Sequence, residues 1–341
     1  MRKVFIGVLN WGLGHATRMC PIIDYLIEKG EDVHIGSDGR ALLFLQNQYP
    51  QLKFHELPGY DIVYSGKSNQ TWTLIKQLPK LKKVIKLEHQ EVEKLHQVEN
   101  FDLLISDNRL GIGGIVEHSI YITHQLTIQV PFGAKKVNQI HHRYIKTFSQ
   151  CWVPDYNPPF HISGRLGATS ELKNVFHIGP QSHLKKLNVD IQYAFCFLLS
   201  GPEPQRSLLE ELILSQIHFL KGKSIIIRGV TEGTNQIKNK KNYDIADYLV
   251  SNQLSEIINR SEIVIGRSGY SSIMDLLKLE KKVFFVPTPG QTEQEYLAKR
   301  LKKYHQVPFS QQHLFSIDLI AEHAKTIEVK TGIFTDYREL I

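Results

Sequence analysis

A histidine that two glycines precede follows the first predicted strand, in the segment Gly12-Leu13-Gly14-His15-Ala16-Thr17-Arg18. At the carboxyl edge of a parallel sheet, glycines let the backbone approach a ligand, and the following helix N terminus attracts anions. His15 can act there as a general base, because an imidazole with an ordinary pKa of about 6.5 accepts a proton near neutral pH. A capping or packing histidine is the alternative. Arg18 is expected to form a salt bridge or to pack, and could instead face a phosphate.

A second loop, Gly266-Arg267-Ser268-Gly269, again joins a predicted strand to a predicted helix. Gly269 permits a tight turn, and the small residues leave helix-terminal N–H groups open to a diphosphate, to which Arg267 can add charge. Asp275, further along, could accept hydrogen bonds from two ribose hydroxyls. The alternative is a capping box formed by Ser272 and Asp275, which are three residues apart.

A third loop, 286–290, is rich in proline and glycine and leads into a helix whose first turn carries amides and carboxylates. Gln294 and Glu295 offer donors and acceptors suited to sugar hydroxyls, although acidic residues are favoured at a helix N terminus in any case. The sequence has no Asp-x-Asp pair suited to holding a divalent ion on a diphosphate. We therefore expect neither a metal nor a cofactor, with helix termini and Arg267 taking up the charge of a leaving diphosphate.

The elements that must position these loops alternate between β-rich runs and helical patterns, which predicts the α/β class with parallel sheets and crossover helices. In the first half, strands are predicted over 4–9, 32–36, 101–106 and 120–122, and helices over 17–29 and 42–48. In the second half, strands are predicted over 194–199, 224–228, 263–265 and 283–286, and helices over 207–220, 251–259 and 272–280. The pattern in each half of the sequence predicts one doubly wound unit. The glycine loops at the strand ends predict a cleft between two domains.

Prolines and glycines cluster between residues 151 and 179, where we place the linker between the two units. The predicted amino-terminal domain covers 1–165 and the predicted carboxyl-terminal domain covers 180–325. The tail 326–341 could pack back on the first domain as a helix.

The composition excludes several classes of protein. The 341 residues carry 41 Lys+Arg and 34 Asp+Glu, a net charge of +7, and 42% are hydrophobic, which excludes disorder and collagen-like order. The three cysteines are too far apart for a disulfide framework or a zinc site and favour a cytoplasmic location. Residues 4–9 are interpreted as a strand and not as a targeting signal, and no apolar run approaches the roughly 20 residues of a membrane span. Basic residues lack the aromatic interleaving of nucleic-acid readers, so no nucleic-acid partner is expected.

Five lysines between Lys76 and Lys86 are interleaved with aliphatic residues, which predicts an amphipathic helix pair kinked at Pro79. A solvated helix face explains this pattern. The functional alternative is peripheral contact with the inner face of a membrane through anionic lipid, or with a lipid-linked substrate.

Taken together, the loops resemble those of the GT-B glycosyltransferases, specifically the branch that contains the GlcNAc transferase that completes lipid II. The resemblance rests on Gly12-Leu13-Gly14-His15, on Arg267-Ser268-Gly269 and on 287–296, and its most specific part is 263–301. It implies two Rossmann-like domains that face a cleft, a hexosyltransferase activity, and a nucleotide-sugar donor, usually UDP-linked.

The resemblance also implies roles for individual residues. In that family the carboxyl-terminal domain holds the donor, and an acidic residue that corresponds to Asp275 binds the ribose. The family's paired glutamines correspond to Gln294 and Glu295, so this sequence departs from the family at the second position. Ser200-Gly201 matches the loop that approaches the diphosphate. The amino-terminal domain binds the acceptor, which could be a sugar, a lipid-linked compound or a small molecule. There the segment Ser106-Asp107-Asn108, with Gly111, Gly113 and Gly114, resembles the acceptor loop and is followed by His124-Gln125.

The Gly-x-Gly-His-x-x-Arg form of the first loop also resembles a UDP-sugar hydrolase of nonulosonic acid biosynthesis, which shares the fold and gives the sugar to water. Three functions follow: a glycosyltransferase as the main interpretation, a hydrolase of the same fold, and a non-catalytic nucleotide-sugar-binding protein. The first two place His15 as the base, with Asp107 as the next candidate.

Overall fold

The computed structural model describes residues 1–60, 70–130, 133–169, 171–230, 232–327 and 332–341, without the side chains of 70–78 and 321–322. The chain divides into two compact units, unit 1 with Met1–Gln181 and Thr331–Ile341, and unit 2 with Ser182–Lys330. Each unit contains one seven-stranded sheet.

Unit 1 is an α/β unit whose seven strands are all parallel, in the order β3-β2-β1-β4-β5-β6-β7. The strands are β1 (Lys3–Val8), β2 (Asp32–Ser37), β3 (Lys53–Glu56), β4 (Leu103–Asp107), β5 (Ser119–Ile122), β6 (Gln150–Val153) and β7 (Val175–His177). The helices are α1 (Leu13–Glu28), α2 (Gly39–Gln48), α3 (Gln70–Glu99) and α4 (Ala134–Ile145). Strand β4 is buried along its whole length and β1 at every residue after Lys3, as expected for a parallel sheet that helices cover on both faces.

Unit 2 has five central parallel strands and one antiparallel strand at each edge, in the order β10-β11-β9-β8-β12-β13-β14. Its strands are β8 (Tyr193–Leu198), β9 (Ser224–Ile227), β10 (Lys238–Asn239), β11 (Tyr243–Ala246), β12 (Ser261–Gly266), β13 (Lys282–Phe285) and β14 (Lys325–Thr326). Its helices are α5 (Gln205–Gln216), α6 (Ser251–Asn259), α7 (Tyr270–Lys278), α8 (Thr292–His305) and α9 (Asp318–His323). Two doubly wound α/β units were predicted, and this prediction is confirmed.

Two segments differ from the expectation. The proline- and glycine-rich stretch 151–179 contains most of β6 and all of β7, because its prolines lie in the loop between these short strands. The lysine-rich stretch belongs to one helix, α3, which includes Pro79.

Residues after unit 2 return to unit 1. The Tyr337 hydroxyl donates to the Pro21 carbonyl at 3.0 Å, and Leu340 and Ile341 pack against the core formed by α1 and the strands. A 3₁₀-helix covers Tyr337–Glu339 in this segment.

Candidate active site

The carboxyl ends of β1 and β4 bring together residues that lie far apart in the sequence. Val8 lies opposite Asp107 in the register of these parallel strands, and the Leu9 N–H donates to the Asp107 carbonyl at 3.1 Å. Helix α1 begins soon after β1, and His15 is the third residue of this helix. The His15 Nδ1 lies 2.7 Å from the Asp107 Oδ2 as a result.

Arg18 lies one helical turn beyond His15 and completes this cluster. Its Nε donates to the Asp107 Oδ1 at 2.9 Å, its Nη2 also donates to that oxygen, and its Nη1 lies 3.2 Å from the His124 Nδ1. His124 follows β5 by two residues and is buried. The salt bridge expected of Arg18 is confirmed, and its partner is the carboxylate that orients His15.

The electrostatics of the cluster favour a neutral His15. Burial alone would raise the pKa of Asp107, but Arg18 and His15 outweigh it and hold that pKa below its usual value, so the carboxylate is ionised. Burial, followed by the Arg18 charge, lowers the pKa of His15, with Asp107 opposing both. The side chain of His15 is 13% exposed, whereas that of Asp107 is fully buried. A neutral imidazole that donates from Nδ1 to a carboxylate has its lone pair on Nε2, which is the arrangement of a general base.

A buried ionic network supports the loop that leads to His15. Arg109 is fully buried, its Nε donates to the Val8 carbonyl at 2.8 Å, and its guanidinium pairs with Glu88 of α3 and with Asp38 after β2. Asp38 in turn accepts from the Asn10 side chain at 3.0 Å. The network therefore ties the ends of β1, β2 and β4 to α3. Arg109 was not predicted as a site residue, because its position after a strand was the only signal for it.

The predicted acceptor glycines fall in different environments. Gly12 has a φ of 84°, with no atom within 4 Å of where a Cβ would lie, so this loop position is open. Gly14 lies on the first turn of α1, where its carbonyl accepts from Thr17. At Gly113 a Cβ would overlap Thr147 and meet Phe148, so close packing explains this glycine without an acceptor.

In unit 2, Arg267 is a buried cation without a carboxylate partner among the described residues. Its Nη1 donates to the Val286 carbonyl at 3.0 Å, and its Nη2 donates to the Gln205 carbonyl at 2.7 Å. Within the described ranges its Nε has no hydrogen-bond partner, and burial lowers the pKa of Arg267 to about 10, so it stays charged at neutral pH. A buried charge that only carbonyls compensate favours an anion beside it.

The predicted diphosphate loop adjoins this cation. Ser200 and Gly201 are exposed at the end of β8, and Gly201 has a φ of 98°. A Cβ on Gly201 would lie 3.3 Å from the Thr288 Oγ1 and 4.0 Å from the Arg267 Nε. Both of these polar atoms are buried and have no partner in the described part of the chain. Thr288 was not singled out in the sequence, where its position between two prolines was the available signal.

The remaining donor candidates near α7 and α8 hold their own loops together. The Ser268 hydroxyl donates to the Gln294 carbonyl at 2.8 Å, which joins the start of α7 to α8. The Gln294 side chain accepts from the Thr288 N–H at 2.9 Å, and the Glu295 side chain accepts from the Gly290 N–H at 3.1 Å. Gly269 directly precedes α7 and is partly exposed. The Gln294 side chain lies near it.

Asp275 lies inside α7 and not in its first turn. The helix begins at Tyr270 after Gly269, so the capping box expected of Ser272 and Asp275 is wrong. Asp275 accepts a short hydrogen bond from the Ser182 hydroxyl, and burial raises its pKa to about 7. The residue as a whole is partly exposed, and its carboxyl group titrates near neutral pH.

Two further observations concern metals and membranes. Among the described residues, no group of three or more His, Cys, Asp or Glu side chains is arranged to hold a metal ion. None of the helices in that part of the chain is both long and apolar enough to cross a bilayer.

Comparisons with solved structures identify the architecture. The chain superimposes on the glycosyltransferase SnogD from Streptomyces nogalater with a TM-score of 0.65, at 11% identity over 95% of this chain and 90% of that one. It matches MurG from Acinetobacter baumannii with a TM-score of 0.57, at 10% identity over 94% and 89%. It matches the spinosyn rhamnosyltransferase SpnG complexed with thymidine diphosphate with a TM-score of 0.62, at 13% identity over 91% and 86%. The fold is therefore the GT-B fold predicted from the loops.

Family profiles add the class of enzyme. Residues 197–328 match the glycosyltransferase family 28 C-terminal domain, and residues 2–118 match glycosyl transferase family 1. No curated protein sequence matches the chain significantly. The chain is a glycosyltransferase with the GT-B fold, and most of unit 2 matches the family 28 C-terminal domain.

Proposed function

We propose that the protein transfers a sugar from a UDP-linked donor bound by unit 2 to an acceptor hydroxyl that His15 of unit 1 deprotonates, without a metal ion. The observation that carries this proposal is the 2.7 Å contact between the His15 Nδ1 and the Asp107 Oδ2, held by Arg18. A general base assists transfer to a hydroxyl, because it takes the proton that the hydroxyl loses as its oxygen attacks.

The proposed step transfers one proton to His15 and one sugar to the acceptor. The Nε2 of His15 takes the proton of the acceptor O–H, and the oxygen forms a bond to the anomeric carbon of the donor sugar. The bond from that carbon to the diphosphate oxygen breaks, and UDP leaves with the electron pair. The products are the glycoside, UDP and a protonated His15 that returns its proton to water.

Donor binding is assigned to unit 2 because its buried cation suits a diphosphate. Arg267 and Thr288 each have a polar atom beside Gly201 that no described residue hydrogen-bonds, so phosphate oxygens there would satisfy both. Ser200, Ser268 and Gly269 are assigned to the same subsite, where the N terminus of α7 favours negative charge. Asp275 is assigned to the ribose, and Gln294 and Glu295 to the donor sugar.

A hydrolase of the same fold is the second candidate. The oriented His15 could equally deprotonate water, and the Gly-x-Gly-His-x-x-Arg segment resembles that class. For the acceptor side, we assign Gly12 and Gly14 to the surroundings of the nucleophile, Asp107 to the orientation of His15, and Gly113 to the packing that supports the acceptor loop.

We further propose peripheral contact with anionic lipid through α3. Lys80, Lys82, Lys83 and Lys86 are exposed on this helix, and Leu87 beside them is 42% exposed. The side chain of Lys76 lies outside the described residues. Such a face would bring the enzyme to a lipid-linked acceptor.

The test is a panel of UDP- and TDP-linked sugars assayed for nucleotide release, with and without candidate acceptors, using His15→Ala as the blank. Release that requires an acceptor supports the transferase, and release from the donor alone supports the hydrolase. Tight nucleotide-sugar binding without release in any combination would contradict both and leave a binding protein.

A further inference from the structure

The guanidinium of Arg18 faces two histidine rings as well as Asp107. Its Nη2 lies 3.0 Å from the His15 Nδ1, and its Nη1 lies 3.2 Å from the His124 Nδ1. A guanidinium only donates, so a ring nitrogen that is hydrogen-bonded to it must carry a lone pair. The positions of the protons on the two rings therefore depend on which contacts are hydrogen bonds.

At His15, the Nδ1 atom faces an acceptor and a donor at once. The carboxylate oxygen of Asp107 is the closer, at 2.7 Å, and Asp107 is ionised and fully buried. A lone pair on Nδ1 would face that anion without a proton between them, so Nδ1 carries the proton. Arg18 directs its own Nε and Nη2 hydrogens to the Asp107 Oδ1.

At His124, the assignment is the opposite. Its Nδ1 faces the Nη1 of Arg18, which can only donate, so this nitrogen carries the lone pair. The proton of the neutral ring is then on Nε2. His124 is held at this point by the register of β4 and β5, in which Asp107 lies opposite Ile122.

We propose that Arg18 is a positioning residue that fixes His15 and His124 as opposite tautomers, with a lone pair on Nε2 of the first and a proton on Nε2 of the second. This inference rests on the proposed function for its consequence in catalysis. A hydroxyl nucleophile suits such a pair, because it can give its hydrogen to one ring and accept from the other. A carboxylate nucleophile does not suit it, because an ionised carboxylate has no hydrogen to give.

The test is ¹⁵N NMR of histidine-labelled full-length protein without substrate, with His15→Gln and His124→Gln used to assign the two rings. In the unsubstituted protein we expect a neutral His15 protonated at Nδ1 and a neutral His124 protonated at Nε2. In Arg18→Met, we expect the pKa of His15 to rise, because the Arg18 charge that lowers it is removed, and His124 to populate both tautomers.

Arg18→Lys is the matched variant. It restores the charge beside Asp107, so the pKa of His15 should fall again. Its single ammonium lacks the planar fork of arginine, so the His124 mixture should persist. If Arg18→Met does not fold, this variant carries the test. UDP binding by calorimetry checks that unit 2 remains intact in both variants.

A proton on Nδ1 of His124 in the unsubstituted protein would overturn the proposal, as would rings that are unchanged in both Arg18 variants. Because the NMR measurement needs no substrate, its outcome is independent of the proposed function. A protein that releases no nucleotide would contradict that function and leave the tautomers as measured.

Discussion

The Nδ1 atom of His15 lies 2.7 Å from the Oδ2 atom of Asp107, although 92 positions separate the two residues in the sequence. The contact exists because β1 and β4 are neighbours in the sheet and because α1 begins directly after the loop that follows β1. It gives the imidazole a fixed orientation and leaves Nε2 as the basic atom.

His15→Ala is expected to lower kcat by about 10²- to 10⁴-fold, since a general base contributes a factor of that order. UDP affinity should stay nearly unchanged, because the nucleotide is assigned to unit 2. Steady-state kinetics and calorimetry check the two quantities. His313→Ala, which removes an exposed histidine of unit 2, is the control. Retention of kcat in His15→Ala would show that this histidine has a packing role.

The pH dependence of kcat/KM should have an acidic limb below pH 6.5. The base acts only when neutral, and burial together with Arg18 lowers the pKa of His15 below its ordinary value. Activity should therefore be retained as pH falls to about 6.5 and be lost as it falls further through the lowered pKa. Rate profiles measured with saturating donor check this. An acidic limb with its midpoint above pH 7 would contradict the electrostatic role of Arg18.

UDP affinity is expected to rise between about pH 6 and pH 8, because burial raises the pKa of Asp275 to about 7 and only the ionised carboxylate can accept from both ribose hydroxyls. Asp275→Asn should weaken UDP binding by about ten- to a hundredfold at pH 8, in keeping with about 1.5–3 kcal/mol for a charge-assisted contact.

Asp275→Asn should also remove the part of the pH dependence of UDP affinity that comes from the carboxyl group. The part that comes from titration of the UDP phosphates should remain in both proteins. Ser182→Ala is the matched control, because it removes the hydrogen bond to Asp275 and leaves the carboxyl group in place. Equal UDP affinities for Asp275→Asn and the unsubstituted protein at pH 8 would exclude the ribose contact.

Turnover is expected to survive EDTA. The leaving diphosphate has Arg267 and the N terminus of α7 available to it, and neither requires a metal ion. Nucleotide release is measured before and after EDTA, and again after addition of magnesium or manganese. Activity that EDTA abolishes and either metal restores would contradict this mechanism.

Changing Lys80, Lys82, Lys83 and Lys86 to glutamine is expected to reduce co-sedimentation with anionic vesicles, since each lysine near the surface contributes about 1 kcal/mol. The effect should be larger at low than at high salt. The control changes four exposed lysines of unit 2 to glutamine: Lys299, Lys302, Lys303 and Lys325. Equal binding by the two variants would leave α3 with an ordinary solvated face.

The elements with long periodic patterns were predictable from the sequence. Helix α1 was predicted over 17–29 and is observed over Leu13–Glu28, because its apolar residues recur at helical spacing and Gly30 follows it with a φ of 74°. The short strands β3, β6 and β7 were missed, as were β10, β11 and β14, since two to four residues give no reliable alternation. Strands β5, β9 and β13 are also short but were predicted, because each contains a continuous apolar run.

The site was predictable only in its parts. The position of His15 after a strand indicated a base, but the spacing within the chain does not show that β4 and β5 follow β1 in the sheet. That order brings Asp107 and His124 to Arg18. The role of Asp275 was ambiguous for a similar reason, because a helix start at Tyr270 or at Ser272 fits the same residues.

The return of the chain to unit 1 has a consequence for protein synthesis. Tyr337, Leu340 and Ile341 belong to the packing of unit 1, yet a ribosome makes them after all of Ser182–Lys330. Unit 2 is a continuous stretch of chain, so its core needs no residue from outside Ser182–Lys330. Unit 1, which is begun first, keeps the surface around Pro21 uncovered until Tyr337, Leu340 and Ile341 have been made, so its packing is completed only after the whole of unit 2 has been synthesised.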